Sequence, residues 1–253
     1  MPTERTARLL GFVAAAALCI VMPAASLAGL FSISPIRLDL DRQNRTDSIT
    51  IGNNETEGKI EMQAKLFEWT QDAAGNDVYV ESNNLVFFPR IFSVDRLDQR
   101  VIRVGLKAPA AATEVSYRLF VEELPPPPDP GKRGAQVLFV LRFGVPIFVR
   151  PDKEQLAGAI ESLEAAPTAA TIVIRNTGNQ NFQIQTLSVK SQAGFEKEIV
   201  GGYVLAGATK RVSAAFPADM CSTLGKLQIV MKTDRIGTVE RAFDWDASRC
   251  GAK

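Results

Sequence analysis

Four pairs of neighbouring carboxylates are the groups in this chain whose types and spacing could do chemistry: Asp39/Asp41, Glu55/Glu57, Glu122/Glu123 and Asp244/Asp246. Two carboxyl groups flanking a bond can cleave a glycoside by general acid–base catalysis. The spacing favours something plainer. Asp39/Asp41 and Asp244/Asp246 are two residues apart, which puts each pair on one side of a strand, where a row of carboxylates reads as a solvated face. The chain has no histidine. It therefore lacks the commonest general base and metal ligand, and a serine or cysteine triad of the usual type cannot be assembled. Neither a phosphate-binding glycine loop nor a nucleophile elbow occurs. Two cysteines outside the leader, Cys221 and Cys250, are too few for a cysteine zinc site. No catalytic residue, cofactor or metal is expected.

The elements around these groups read as strands. The first 28 residues are set aside: a basic start, an apolar run and Ser26-Leu27-Ala28 have the form of a secretory signal peptide. Without them the chain carries 27 basic and 27 acidic residues, a balance that gives no indication of nucleic acid. SITIGNN, KIEMQAKLFEW, VYVES, RVIRVGL and SYRLFVEE are short apolar or alternating runs bounded by turn residues. In TEVSYRLFVEE, Val115, Tyr117, Leu119 and Val121 face one way, and Arg118, Phe120 and Glu122 the other. ELPPPPDPGKRGA reads as a stiff loop. The polar stretch PDKEQLAGA marks a boundary, after which the strand rhythm resumes. The pattern predicts an all-β chain of two sandwich domains, residues 29–151 and 152–253. LGKLQIVMKTD and GTVERAFDWD form a hairpin with Cys221 and Cys250 just outside its open end, so a disulfide between them is expected in an exported chain.

VLFVLRFGVPIFVRP, Val137–Pro151, is too long and too apolar for an ordinary core strand. Pro146 places it at a sheet edge, and Gly144 signals a bend or bulge. An exposed apolar edge is an aggregation hazard, normally kept only where a partner strand covers it. The expectation is strand donation, with Val137, Phe139 and Leu141 filling pockets in a partner.

These residues also carry a likeness. ISPIRLDL, SITIGNNETEGKIEMQAKLFEW, LVFFPRIFSVDRLDQRVIRV, YRLFVEELPPPP and FVLRFGVPIFVRP, in that order, resemble the first domain of the PapD-like periplasmic pilus-assembly chaperones; VIRNTGNQNFQIQTLSV and YVLAGATKRV resemble the second. The resemblance implies two immunoglobulin-like domains in an L-shaped arrangement, with Trp69 in the first core. It implies a non-enzymatic periplasmic protein that lends its G strand to pilin or fimbrial subunits and delivers them to an outer-membrane usher, and that can cap itself as a homo-oligomer. Two basic residues would hold the subunit's terminal carboxylate. The first falls on Arg37; the second, usually a lysine, falls on Pro146, and Arg142, of the same strand parity, is the substitute. An interdomain ion pair falls on Glu114 and Arg150. The missing lysine marks a divergent branch. The other reading is an exported structural protein or adhesin of immunoglobulin-like domains.

Overall fold

The computed structural model describes residues 31–54, 58–108, 111–125 and 140–251. The signal-peptide segment, Glu55/Glu57, Val137 and Phe139 lie outside them. Ten strands build the first sandwich: β1 (Phe31–Ser34), β2 (Leu38–Leu40), β3 (Thr46–Asn53), β4 (Ile60–Gln71), β5 (Asp77–Glu81), β6 (Leu85–Phe88), β7 (Ile91–Val94), β8 (Gln99–Leu106), β9 (Val115–Glu123) and β10 (Arg142–Val149). One sheet has the order β1-β3-β8-β6. The other runs β2-β10-β9-β4-β5, with β7 also on β4. The inner faces of both come from alternating apolar residues, as in β4, where Ile60, Met62, Ala64 and Leu66 are buried. In β9 the inner row is Tyr117, Leu119 and Val121, while Arg118, Phe120 and Glu122 are half-buried on the outer face.

Eight further strands form the second sandwich: β11 (Gly158–Ala166), β12 (Ala169–Asn176), β13 (Phe182–Ser191), β14 (Glu196–Ile199), β15 (Tyr203–Val204), β16 (Thr209–Ala215), β17 (Lys226–Thr233) and β18 (Thr238–Asp244). They make the sheets β11-β12-β16 and β14-β13-β17-β18, with β15 on β13. A separate core fills this sandwich, from Ile160 to Trp245. β17 and β18 pair as the expected hairpin. Cys221 and Cys250 are bonded across its open end, their Cα atoms 5.6 Å apart. No helix among the described residues is long and apolar enough to cross a membrane.

Two expectations are corrected. Gly144 is not at a bulge: β10 pairs with β9 without a register shift from Arg142↔Glu122 to Val149↔Val115. Gly144 is needed for close approach. A Cβ there would come within 2.8 Å of the Phe120 ring and 3.2 Å of Arg118 Cδ, because both side chains lie across it. Trp69 is buried, but not in the core between the sheets. It sits on the outer face of β4, where it clusters with Phe148, Leu205 and Tyr203. That cluster is a seam between the two sandwiches.

The seam has polar partners as well. Gln71 donates from Nε2 to the Tyr203 carbonyl (2.9 Å) and accepts at Oε1 from the Leu205 N–H (3.0 Å). Asn179 donates to the Ala112 carbonyl at 3.0 Å. At Gly75, φ is +87°, and a Cβ would lie 2.8 Å from the Thr209 carbonyl oxygen. The β4–β5 turn can therefore press its backbone against β16 only because this residue has no side chain.

Candidate functional site

The edge of β10 follows from two hydrogen bonds. The Glu123 N–H donates to the Leu141 carbonyl, so the odd residues of this segment point their backbone groups at β9. The Arg150 N–H donates to the Leu40 carbonyl on the opposite side. By strand alternation, the backbone groups of Arg142, Gly144 and Pro146 also point away from β9. β2 covers that side only from Ile147 to Val149, in parallel pairing. Among the described residues, Arg142, Gly144 and Pro146 therefore have no strand partner on that side, although the Gly144 carbonyl accepts from Arg118 Nη1 at 3.0 Å. Pro146 has no N–H, so its place on the open side leaves the pairing with β9 intact.

Around this edge lie exposed apolar side chains. Val140 is 47% and Phe143 45% exposed, and Phe143 meets Phe31 edge-to-face at 5.3 Å. Leu141, expected to be donated, instead packs on the core of its own sandwich. Of the three donor residues expected, it is the one the structure describes.

Arg37 lies at the mouth of the seam. Its Nε and Nη2 donate to the two Asp39 carboxylate oxygens at 2.9 and 2.8 Å. Nη1 faces Asp234 of the second sandwich at 3.9 Å. The guanidinium stacks 4.5 Å from the Phe148 ring. Burial pushes the Asp39 carboxyl up, but the hydrogen bonds and charges of Arg37 and Arg150 outweigh it and hold it below the usual range. Burial likewise opposes the charge on Arg37, and Asp39 more than restores it.

Arg142 does not join Arg37. It is six residues before Phe148, about 20 Å along a strand rising ~3.3 Å per residue. It ion-pairs with Glu122 at 3.3 Å and lies 3.8 Å over the Phe120 ring. One carboxylate cannot reach both arginines. Glu114 and Arg150 are not partners either. Glu114, 7% exposed, accepts hydrogen bonds from the Asn181 N–H (3.1 Å) and from Asn181 Nδ2 (2.8 and 2.9 Å to its two oxygens). Burial pushes its pKa above the ordinary carboxylate value despite those bonds and the nearby charges of Arg235 and Arg37. Arg150 binds Asp39 at 3.1 Å and approaches Glu154 at 3.9 Å. Glu154 in turn faces Arg235 at 3.8 Å. The charges thus form a chain, Asp234–Arg37–Asp39–Arg150–Glu154–Arg235, that crosses between the sandwiches. Glu114 docks beside it through an asparagine.

Three other members of the acidic pairs have structural partners. Asp41 accepts from the Gln43 and Asn44 N–H groups of a turn. Glu122 serves Gln63, Lys65 and Arg142. Asp246 accepts from Ser248 and Arg249. No group of three or more metal-type ligands occurs among the described residues.

Sequence reasoning missed the aromatic and cationic row on the outer face of the β2-β10-β9-β4-β5 sheet. Arg118 lies 4.1 Å over the Trp69 ring and donates from Nη1 to the Gly144 carbonyl at 3.0 Å. Phe120 meets Tyr79 at 5.3 Å and Phe67 at 5.5 Å. Trp69 meets Phe148 at 6.0 Å and Tyr203 at 5.4 Å. The alternation in β9 places Arg118 on this face. Only the register shows that it stands opposite Pro146.

With this geometry in hand, the comparisons with known proteins are specific. Residues 30–155 match the family described as pili and flagellar-assembly chaperone, PapD N-terminal domain. No curated protein matches the chain. Among solved structures, the chaperone–tip adhesion subunit complex CsuC-CsuE from the archaic Csu pili of Acinetobacter baumannii aligns with a TM-score of 0.60 at 20% identity, covering 84% of this chain and 98% of that one. The CupB2 chaperone of Pseudomonas aeruginosa aligns at 0.52 and 16%, covering 85% and 100%. The Salmonella enterica SafA pilin complex with the SafB chaperone aligns at 0.52 and 14%, covering 87% and 98%. At these identities the likeness is one of fold: two all-β, immunoglobulin-like domains.

Proposed function

Since the chain belongs, through residues 30–155, to the pili and flagellar-assembly chaperones with a PapD N-terminal domain, we propose that it is a periplasmic chaperone that holds pilus or fimbrial subunits by strand donation and passes them to an outer-membrane usher. The observation that carries the reading is the unpaired edge of β10 at Arg142, Gly144 and Pro146, flanked by exposed Val140 and Phe143. A strand added there gains backbone hydrogen bonds, and its side chains gain apolar cover. Val137 and Phe139, upstream of the described edge, extend the lent segment. Leu141 does not contribute, because its side chain is already spent on the chaperone's own core. The seam supports the reading too: Gln71, Trp69 and Glu114 hold the second sandwich against the first, and the edge runs toward that seam, where Arg37 stacks on Phe148. In relatives of this fold the partners are pilin and tip subunits, as in the SafA–SafB and CsuC–CsuE complexes.

Co-expression with a pilus subunit lacking its final strand tests this. A one-to-one complex is expected, weakened by Val137→Asp with Phe139→Asp. A subunit captured equally well by that double variant would refute strand donation.

A further inference from the structure

The β2-β10-β9-β4-β5 sheet has a free edge at β5, with β9 and β4 between it and β10. All five β5 residues, Asp77, Val78, Tyr79, Val80 and Glu81, are exposed, Val80 to 63%. The Ser82 N–H donates to the Leu66 carbonyl and the Asp72 N–H to the Asn76 carbonyl, so the even residues of this segment point their backbone groups at β4. By alternation, the N–H and C=O groups of Asp77, Tyr79 and Glu81 point outward, where no strand among the described residues meets them. An edge of β-branched and aromatic residues is normally guarded by lysine, proline or a bulge. β5 has none of these, and it pairs with β4 in unbroken register from Phe67↔Glu81 to Gln71↔Asp77. What it carries instead is negative charge.

From Leu66 to Pro89 the chain contains no lysine or arginine but four carboxylates, Glu68, Asp72, Asp77 and Glu81. None of the four is in an ion pair among the described residues. Asp77 accepts from Gln71 Nε2 at 3.0 Å and from the Tyr79 hydroxyl at 3.2 Å, and Asp72 accepts from Ala74 and Asn76 within its own turn. Asp77, Tyr79 and Glu81 share the face on which Tyr79 meets Phe120 at 5.3 Å; Val78 and Val80 share the other. A carboxylate at each end of the edge disfavours the simplest occupant. Antiparallel pairing with the β5 of a second copy, centred on Tyr79, sets Asp77 against Glu81 twice. Like charges directly opposite are destabilising, and opposite charges stabilising.

We propose that β5 is a second strand-docking edge, and that its occupant is an extended segment of another protein with two basic residues four apart and alternating apolar residues between them. In that pairing the two cations stand opposite Asp77 and Glu81, and two β-branched residues cover Val78 and Val80. The surface is separate from the β10 edge and does not depend on the subunit-binding reading. Because β9 and β4 lie between the two edges, both can be occupied at once.

The probe is an acetylated and amidated seven-residue peptide with threonine at its ends and centre, lysine second and sixth, and valine third and fifth. Its twin has glutamate in place of both lysines. Binding to the full chain is followed by calorimetry at low ionic strength and by amide hydrogen exchange. The lysine peptide is expected to bind about tenfold more tightly than the glutamate twin. It should protect the N–H groups of Asp77, Tyr79 and Glu81, while those of Val78 and Val80, already directed at β4, change little. Asp77→Asn with Glu81→Gln, which keeps the side-chain shapes, should reduce the preference severalfold. Equal binding of the two peptides, binding of neither, or a preference unchanged in the double variant would overturn the inference. Protection at Arg142 and Gly144 in place of β5 would overturn it while leaving the β10 reading standing. Protection of Asp77, Tyr79 and Glu81 in the concentrated free chain would overturn it too, by giving the edge to a second copy.

Discussion

Replacing Gln71 with alanine should loosen the seam between the sandwiches. One side chain there acts as a backbone would, donating to the Tyr203 carbonyl and accepting from the Leu205 N–H at 2.9 and 3.0 Å. Each such bond contributes about 0.5–1.5 kcal/mol net, and the groups left behind lose more where water cannot reach them. Leu205 is buried and Tyr203 half-buried, so the expected loss is about 1.5–2.5 kcal/mol. For a chain of this size, 1 kcal/mol moves the melting temperature by about 2–4 °C. The variant should therefore melt roughly 3–10 °C lower by differential scanning calorimetry. The two sandwiches should also begin to unfold separately, because the seam couples them. Gln99→Ala, a truncation of an exposed glutamine on the opposite sheet, is the control and should stay within about 0.5 kcal/mol of wild type. If Gln71→Ala melts with Gln99→Ala, the seam bonds contribute nothing to holding the two sandwiches together.

Other outcomes follow from the same geometry. Burial gives Glu114 a raised folded pKa, so the folded state binds its proton more readily than the unfolded chain, and its ionisation lowers stability as pH rises from the ordinary carboxylate range through the folded pKa. Glu114→Gln should flatten that part of the stability–pH curve measured by denaturant titration; an unchanged slope would show that the burial is not felt. Cys221→Ser opens a disulfide spanning 29 residues and should destabilise the second sandwich by about 3–4 kcal/mol in urea under oxidising conditions, with little effect under reducing ones. The free chain should self-associate through the exposed β10 edge, and Phe143→Glu should shift it toward monomer in sedimentation experiments.

Much of the fold could be read from residue order because alternation is a local signal. β9 is the clear case: Tyr117, Leu119 and Val121 against Arg118, Phe120 and Glu122 emerge with the faces expected. The cysteine pairing was legible for a similar reason, since a hairpin brings its own ends together. Where the reading failed, two physical causes produce the same residue pattern. Trp69 is buried as an interior tryptophan would be, but by the second sandwich rather than by the opposing sheet. Gly144 interrupts an apolar strand as a bulge would, yet it is there so that Arg118 and Phe120 can cross it. Charge partners were the least legible. Glu114 finds Asn181, and Arg150 finds Asp39 and Glu154, because the pairing depends on how two sandwiches meet and not on spacing along either. Arg142 shares strand parity with Pro146, but parity gives a face, not a distance.

The most direct test of strand donation is amide hydrogen exchange, followed by NMR, on the chain with and without a pilus subunit lacking its final strand. The N–H groups of Arg142 and Gly144 point away from β9 and should become protected on binding. Those of Phe143 and Val145, already directed at β9, should change little. Protection that leaves Arg142 and Gly144 exchanging as fast as in the free chain would contradict the account.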